Sequence, residues 1–300
     1  MHAVRYAEFG GPEVLHVAEV PVPEPGPGQV RVRVAASVVH PVDLMVRSGR
    51  FPAPLPAGLP YTPGWDVAGT VDAVGPSAGE FTIGDEVIGF SPWLRTTTGA
   101  HAEFVVLDAA WLTAAPAGVP ATDAATLPTN GLAAAQALDL LALPAGATVL
   151  VTGAAGQVGG FVLALARQAG LHATGLAGPD DREFVESLGA TFLDRSEKVT
   201  GTYDAVVDLA VIGASLLDLV RDGGGHVAAS PPLRPEPVRD IRTYALEVQP
   251  DGSRLSDLVE LVTTGGIPLR VAGVYSFAGA AAAHERLAEG GVRGGVVIVP

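Results

Sequence analysis

The sequence predicts an α/β protein in which a doubly wound parallel sheet is joined to a small, irregular β-barrel. Three observations predict it. Short strands punctuated by Gly, Pro, Ser and Asp fill the first hundred residues; strands and helices alternate from about residue 120; and a glycine-rich turn joins a buried strand to a helix in that second region. A chain of 300 residues accommodates two domains of roughly 150 residues each. With 48% hydrophobic and 17% charged residues it is too apolar to be disordered. Its longest apolar runs, around Val149–Val151 and Val292–Val299, fall short of the roughly 18 residues of a membrane span. A net charge of −14 argues against nucleic acid and membrane surfaces as partners. The absence of Cys removes disulfides, thiolate nucleophiles and cysteine-held metals. The start of the chain shows no basic-then-apolar leader, and a cytoplasmic location is expected.

Val30 to Val34 alternates Val with Arg, which gives a strand with one buried face. The proline-rich stretch 21–28 before it can only be a connector. Strands are expected at Val67–Val74, Glu86–Phe90 and His101–Val106. The proline-dense run 51–63 is a loop whose Phe51, Leu55, Leu59 and Tyr61 call for packing partners. Helices are then expected at Thr122–Leu127 and Leu132–Leu141, followed by a strand at Ala147–Val151. Val158, Phe161, Val162, Leu165 and Ala166 recur at helical spacing and form a buried stripe. The alternation continues through strand His172–Leu176, helix Asp181–Leu188, strands Ala190–Leu193 and Ala205–Leu209, helix Ala214–Val220 and strand His226–Ala229.

The sharpest signal is the run Val149 to Gly159, in which a buried strand passes through Gly153, Ala154, Ala155 and Gly156 into a helix starting at Gln157 and Val158. A side chain at Gly156 would block the approach of a pyrophosphate, Gly159 lets the helix lie close to the strand, and the N–H groups at the helix start face the phosphates. Strand before, helix after and βα units downstream point to dinucleotide binding. Residues Leu176–Gly178 supply no acidic group for a ribose 2′-OH, and Asp180 and Asp181 suit a helix cap. Arg182 stands beside them, either a partner for a 2′-phosphate or a solvated helix residue, and NADP(H) is favoured over NAD(H).

A longer ordered set of motifs spans nearly the whole chain. It comprises Val39 to Asp43 with Arg47-Ser48-Gly49, Pro60 to Gly69, Gly84 to Val87, Asn130-Gly131-Leu132 with Gln136 to Leu138, Gly153 to Gly159, and Ala283 to Leu287 with Gly291 to Val299. In these the chain resembles the medium-chain dehydrogenase/reductase superfamily, in its zinc-free NADPH:quinone oxidoreductase-like branch. The resemblance implies a GroES-like β-barrel substrate domain (1–115 and 266–300), an inserted Rossmann domain (116–265) and a homodimer. It implies NADPH as cofactor, with Asn130, Leu209 and Ser230 added to the residues that contact it. The nicotinamide is expected in a cleft between the domains, passing a hydride to a quinone or an α,β-unsaturated carbonyl. Enoyl reduction in a polyketide-type pathway shares every motif, and a non-catalytic NADPH-binding protein of the same fold is a reading of another class.

The departures from the family matter too. Where zinc-dependent relatives carry Gly-His-Glu this chain has Gly64-Trp65-Asp66, and His40 with Asp66 gives two ligands at most, so no metal is expected. Leu44 and Met45 follow Asp43 where relatives place a Tyr, Gly295 replaces a common Lys, and Asp194 to Tyr203 leaves room only for a turn. His40 is either a proton or hydrogen-bond donor to the substrate carbonyl, or a histidine bonded to backbone. Tyr61 is an alternative proton source or a packing residue. Trp65, Phe90 and Trp93 form either a stacking wall for a flat substrate ring or part of the core. Asp43 and His101 read as structural and His284 as solvated. An exposed sheet edge at Thr243–Val248 is the expected dimer contact.

Overall fold

The computed structural model describes residues 1–55 and 58–300. The chain divides into two compact units: Met1–Thr129 with Gln249–Gly265 and Leu269–Pro300, and Asn130–Val248 with Gly266–Pro268.

The first unit is built on a seven-stranded sheet whose central strand, Gln29–Val39, pairs antiparallel with Asp66–Val74, Phe104–Asp108 and Gly295–Val299. Val30, Val32 and Val34 point into a core with Val67, Val71, Val87, Val105 and Leu107, while Arg31 and Arg33 share Asp72 on the other face, as the Val/Arg alternation requires. Glu86–Phe90, Leu112–Ala114 and Val271–Ser276 complete the sheet. The strand expected at His101–Val106 begins later, at Phe104, because His101 is drawn into a bridge region: its N–H donates to Pro63 O and its carbonyl accepts from Val4 N. In the proline-dense segment, Phe51, Leu55 and Leu59 pack on a cluster of Tyr6, Val46, Tyr61 and Trp93; residues 56–57 lie outside the described residues.

The second unit is a six-stranded, wholly parallel sheet. Its order is Thr191–Asp194, His172–Ala177, Thr148–Thr152, Tyr203–Asp208, Val220–Ala228, Arg242–Ala245. This is the doubly wound order, with the reversal beside Thr148–Thr152. That strand is buried on both faces, so it reads as an apolar run rather than an alternation. The helix Gln157–Gln168 covers it with Phe161, Val162 and Ala166. The helix expected at Ala214–Val220 is instead a short 3-10 segment, Ala214–Leu219, because Asp208 captures the N–H groups of Ile212 and Gly213 and leaves six residues before the next strand. Arg242–Ala245 is the outer strand, as expected for the edge at Thr243–Val248.

The division departs from the expected boundaries. Residues 116–129 and the helix Gly252–Thr263 join the first unit. The helix does so because Gly252 lies against the start of the strand Leu112–Ala114; a Cβ there would stand 2.3 Å from Leu112 O and 2.7 Å from Ala110 O. Among the described residues no helix is long and apolar enough to cross a membrane.

Candidate functional site

In the second unit, the candidate site is made of backbone. Gly153 turns the chain out of its strand at φ +63°, a left-handed conformation that favours glycine. The Gly156 N–H donates to Gly153 O at 2.9 Å and Gly156 caps the helix Gln157–Gln168. A Cβ on Gly159 would stand 2.3 Å from Gly153 O and 2.8 Å from Ala154 Cα, so only glycine lets helix and loop meet. A Cβ on Gly156 would meet only Gly153 O, at 3.1 Å. The loop can therefore receive the close backbone approach that a pyrophosphate needs, at a helix end whose first N–H groups lack intrahelical acceptors.

A buried brace holds the neighbouring loop. Thr152 Oγ1 donates to Asp208 Oδ1 at 2.7 Å and accepts from the N–H groups of Leu209 and Ala210, both at 3.0 Å. Asp208 Oδ2 accepts from Gly213 N at 2.8 Å. Leu209 is thereby fixed beside Gly153, where a Cβ would lie 3.3 Å from the Leu209 carbonyl carbon. Asn130 is buried in the first turn of the helix Pro128–Leu141, and Ser230 precedes the turn Pro231–Leu233 at the end of Val220–Ala228. A cavity of about 370 Å³ lies on this unit, lined by Arg234 and Tyr244 among others.

At the end of His172–Ala177 the two arginines differ. The Arg182 guanidinium stacks 4.2 Å over the Phe192 ring and pairs with Glu186 at 3.2 Å. Arg195, which belongs to no sequence motif, donates its N–H to Ala177 O, and its guanidinium lies 3.7 Å from where a Cβ on Gly178 would stand. Asp181 is buried and accepts from Gly178 N at 3.3 Å, which makes it a turn residue.

In the first unit, the candidate site is made of side chains. His40 ends the strand Gln29–Val39 and caps the helix Pro41–Arg47; its backbone N–H donates to Asp43 Oδ2 at 2.8 Å. Asp43 Oδ1 accepts from Trp65 Nε1 at 2.9 Å, so Asp43 ties the helix start to the indole. The His40 ring hydrogen-bonds through Nε2 to Asp66 Oδ2, and Asp66 Oδ1 accepts from Thr129 N at 2.7 Å. Burial opposes charge on the imidazole, but the Asp66 carboxylate, by charge and hydrogen bond, and Asp43 outweigh it and hold His40 above its ordinary value. Burial pushes the Asp43 carboxyl up to about 6, against His40 and Trp65, which lower it.

Three expected residues stand in the core. Tyr61, Phe90 and Trp93 are 2%, 1% and 0% exposed, so they offer neither a proton nor a ring face to a substrate; they back Trp65, whose ring lies 5.6 Å from Phe90 and 5.7 Å from Trp93. Trp65 alone of the stacking set is partly exposed. His284, expected in solvent, is 1% exposed and burial lowers it to about 3. Among the described residues no three His, Asp or Glu side chains converge as metal ligands.

Residues 26–117 match the family profile described as alcohol dehydrogenase GroES-like domain, and residues 182–298 that described as zinc-binding dehydrogenase. A mouse quinone oxidoreductase is 31% identical, over 100% of this chain and 97% of its own. An Arabidopsis thaliana NADPH-dependent alkenal/one oxidoreductase is 29% identical, over 100% of this chain and 80% of its own. Two plant quinone oxidoreductase homologues align over 59% of their own length. The quinone oxidoreductase structure from Coxiella burnetii superimposes with a TM-score of 0.87 at 26% identity, covering 100% of this chain and 99% of that one.

Proposed function

The chain belongs to the medium-chain dehydrogenase/reductase superfamily, in its quinone oxidoreductase-like branch, and from that premise we propose that it is an NADPH-dependent, metal-independent reductase of quinones or α,β-unsaturated carbonyls. The observation that carries the reading is the buried His40–Asp66 pair. The imidazole nitrogen and carboxylate that could have shared a cation are bonded to one another, and the second carboxylate oxygen is spent on Thr129 N.

The glycine loop and Gln157 and Val158 of the helix start would hold the pyrophosphate of a nicotinamide cofactor, with Leu209 fixed beside them by Thr152 and Asp208. Bound there, the reduced cofactor supplies a hydride. Arg195 stands where a 2′-phosphate could be met, and this supports NADPH over NADH. Asp66 raises His40 and so favours its protonated form, which would hold a proton for the reduced substrate. Trp65, pinned by Asp43, offers an apolar face for a flat ring. The outer strand Arg242–Ala245 supplies an open edge for a second copy of the chain, and we extend the proposal to a homodimer. The reading places the enzyme in the cytoplasm.

A hydride-transfer assay with a quinone and an enone, using NADPH and NADH, tests the proposal. His40→Ala should lower turnover of the enone by about 10²-fold or more, and that of the quinone less, because a reduced quinone oxygen takes its proton from water. Cofactor binding without turnover of any acceptor would overturn the enzymatic reading. A His40→Ala variant matching the wild type on both acceptors would make His40 structural.

A further inference from the structure

Behind the His40–Asp66 pair lie two more histidines that the proposed reduction does not use. His101 is 0% exposed. Its ring is gripped between Gly64 and Val38, the residues two before Asp66 and two before His40. A Cβ on Gly64, which holds φ +114°, would stand 2.7 Å from His101 Cδ2, and His101 Nε2 lies 3.4 Å from Val38 O. Nδ1 of His101 has no protein partner. His284, on the helix Ala280–Ala288, is 1% exposed, and neither of its ring nitrogens has a protein partner. The helix that carries it packs against the strand Gln29–Val39, whose Val38 the His101 ring meets, and against the helix Pro41–Arg47 that His40 caps.

The charges acting on these groups link them in turn. His101 feels His40; His284 feels His101 and Arg47; Arg47 feels Glu13, Tyr6, Arg50 and Glu285. Around His40 stand Asp66 and Asp43. Glu13, Arg50 and Glu285 are exposed, so the charges around Arg47 face solvent, whereas His40 and Asp66 are buried. A buried polar atom left unpaired costs about 1–3 kcal/mol, and ordered water is its usual partner. An apolar side chain would fill either place without that cost. What a neutral imidazole can do, and an apolar side chain cannot, is accept a proton at one nitrogen while releasing one from the other. Burial, the largest cause for each, keeps both rings neutral, His101 at about 4 and His284 at about 3.

We propose that His101 and His284, bridged by buried water, form a proton conduit that reloads His40 from the solvent side after each turnover. The inference rests on the reading of His40 as proton donor. In the balance for an enone, hydride adds to the β-carbon and the C=C electron pair moves to form the enolate. The enolate takes one proton from His40, and the neutral imidazole takes one proton through His284 and His101 from water near Arg47 and Glu285. One hydride and one solvent proton are consumed per substrate.

The test separates the first turnover from the later ones. Wild type, His40→Ala, His101→Phe, His101→Asn, His284→Leu and His284→Asn are mixed rapidly with NADPH and an enone, first with enzyme in excess and then in steady state. The conduit variants should keep the wild-type rate in the first turnover, since His40 starts protonated, and lose on the order of tenfold in steady state, with KM unchanged and a larger slowing in D₂O. Steady-state rates equal to wild type in both Asn variants would overturn the conduit. So would equal losses in the first and later turnovers, which would mean that the histidines only pack. His40→Ala should lose the first turnover as well. If it does not, the donor reading fails, and the conduit with it.

Discussion

The glycine loop of the second unit and the His40–Asp66 pair of the first are made from opposite materials. The loop works by lacking side chains. At Gly159 a Cβ would lie 2.3 Å from Gly153 O, and at Gly153 the backbone is left-handed. The pair works by joining two side chains 26 residues apart, with Thr129 a further 63 residues along the chain. The first kind of site is local, so its spacing can be read in seven consecutive residues. The second is assembled by the sheet, and a sequence can name its members without showing which of them meet.

The largest expected effect breaks one site and spares the other. Gly156→Val should fold, because its Cβ meets only Gly153 O at 3.1 Å, yet should weaken NADPH and NADH alike. The loss is on the order of 100-fold, equivalent to about one hydrogen bond to a charged group. Gly159→Val should instead disrupt the loop itself and lower the unfolding temperature. Equal cofactor affinity in Gly156→Val and wild type, by fluorescence titration, would remove the loop from the binding site.

The next effect belongs to the histidine side of the comparison. All three tryptophans, Trp65, Trp93 and Trp111, lie in the first unit, so their fluorescence follows the unfolding of that unit. His284 and His101 titrate at about 3 and about 4 in the fold, below the ordinary 6.5. Between those values and pH 6.5 the unfolded chain binds protons that the fold refuses, so their stability contribution is full above pH 6.5 and is lost as pH falls. Asp43, raised from 3.8 to about 6, acts in the opposite sense: its contribution is full below 3.8 and lost as pH rises through 6. His40, also raised, loses its share as pH rises above its ordinary value. Two histidines outweigh one carboxyl between pH 6 and 4, so the unit should weaken on acidification by about 1.4 kcal/mol per pH unit. His284→Leu should flatten that slope. A fluorescence midpoint unchanged from pH 7 to 5 in the wild type would contradict it.

The same contrast explains what was legible in the sequence. The parallel sheet follows from alternation and from short apolar runs, and the glycine loop from spacing. The burial of His284 does carry a signal in the sequence: Ala280, Ala283, His284 and Leu287 recur at helical spacing, and all of them face inward in whole or part. The withdrawal of Tyr61, Phe90 and Trp93 into the core and the transfer of the helix Gly252–Thr263 to the first unit carry none, and His40 and Asp66 are brought to one site only by the family resemblance, not by their spacing. Each depends on contacts between residues far apart in the chain. Arg182 is visible because it follows the cofactor motif at a plausible distance, whereas Arg195 becomes visible only once strand Thr191–Asp194 is laid beside His172–Ala177.

The smallest effect sharpens the comparison within the second unit, where a side chain is asked to act at a backbone site. Arg182 has its guanidinium on Phe192 and Glu186, and turning it to a phosphate would cost both contacts. Arg195 is anchored by its backbone N–H on Ala177 O, and its guanidinium reaches over Gly178, at the end of the strand where a 2′-phosphate would lie. Arg195→Ala should therefore weaken NADPH roughly fivefold to tenfold, less than a buried charged hydrogen bond is worth because the side chain is exposed. NADH should be unaffected, and the NADPH defect should fade as salt is raised. Arg182→Ala should change the ratio of the two affinities by less than about twofold, as expected for a surface pair. 2′-AMP, which carries the phosphate without the nicotinamide, should follow NADPH across the three proteins. If the ratio moves with Arg182 and not with Arg195, the stacked arginine leaves Phe192 to bind the phosphate. If wild type itself binds the two cofactors equally, neither arginine discriminates and the preference for NADPH is lost.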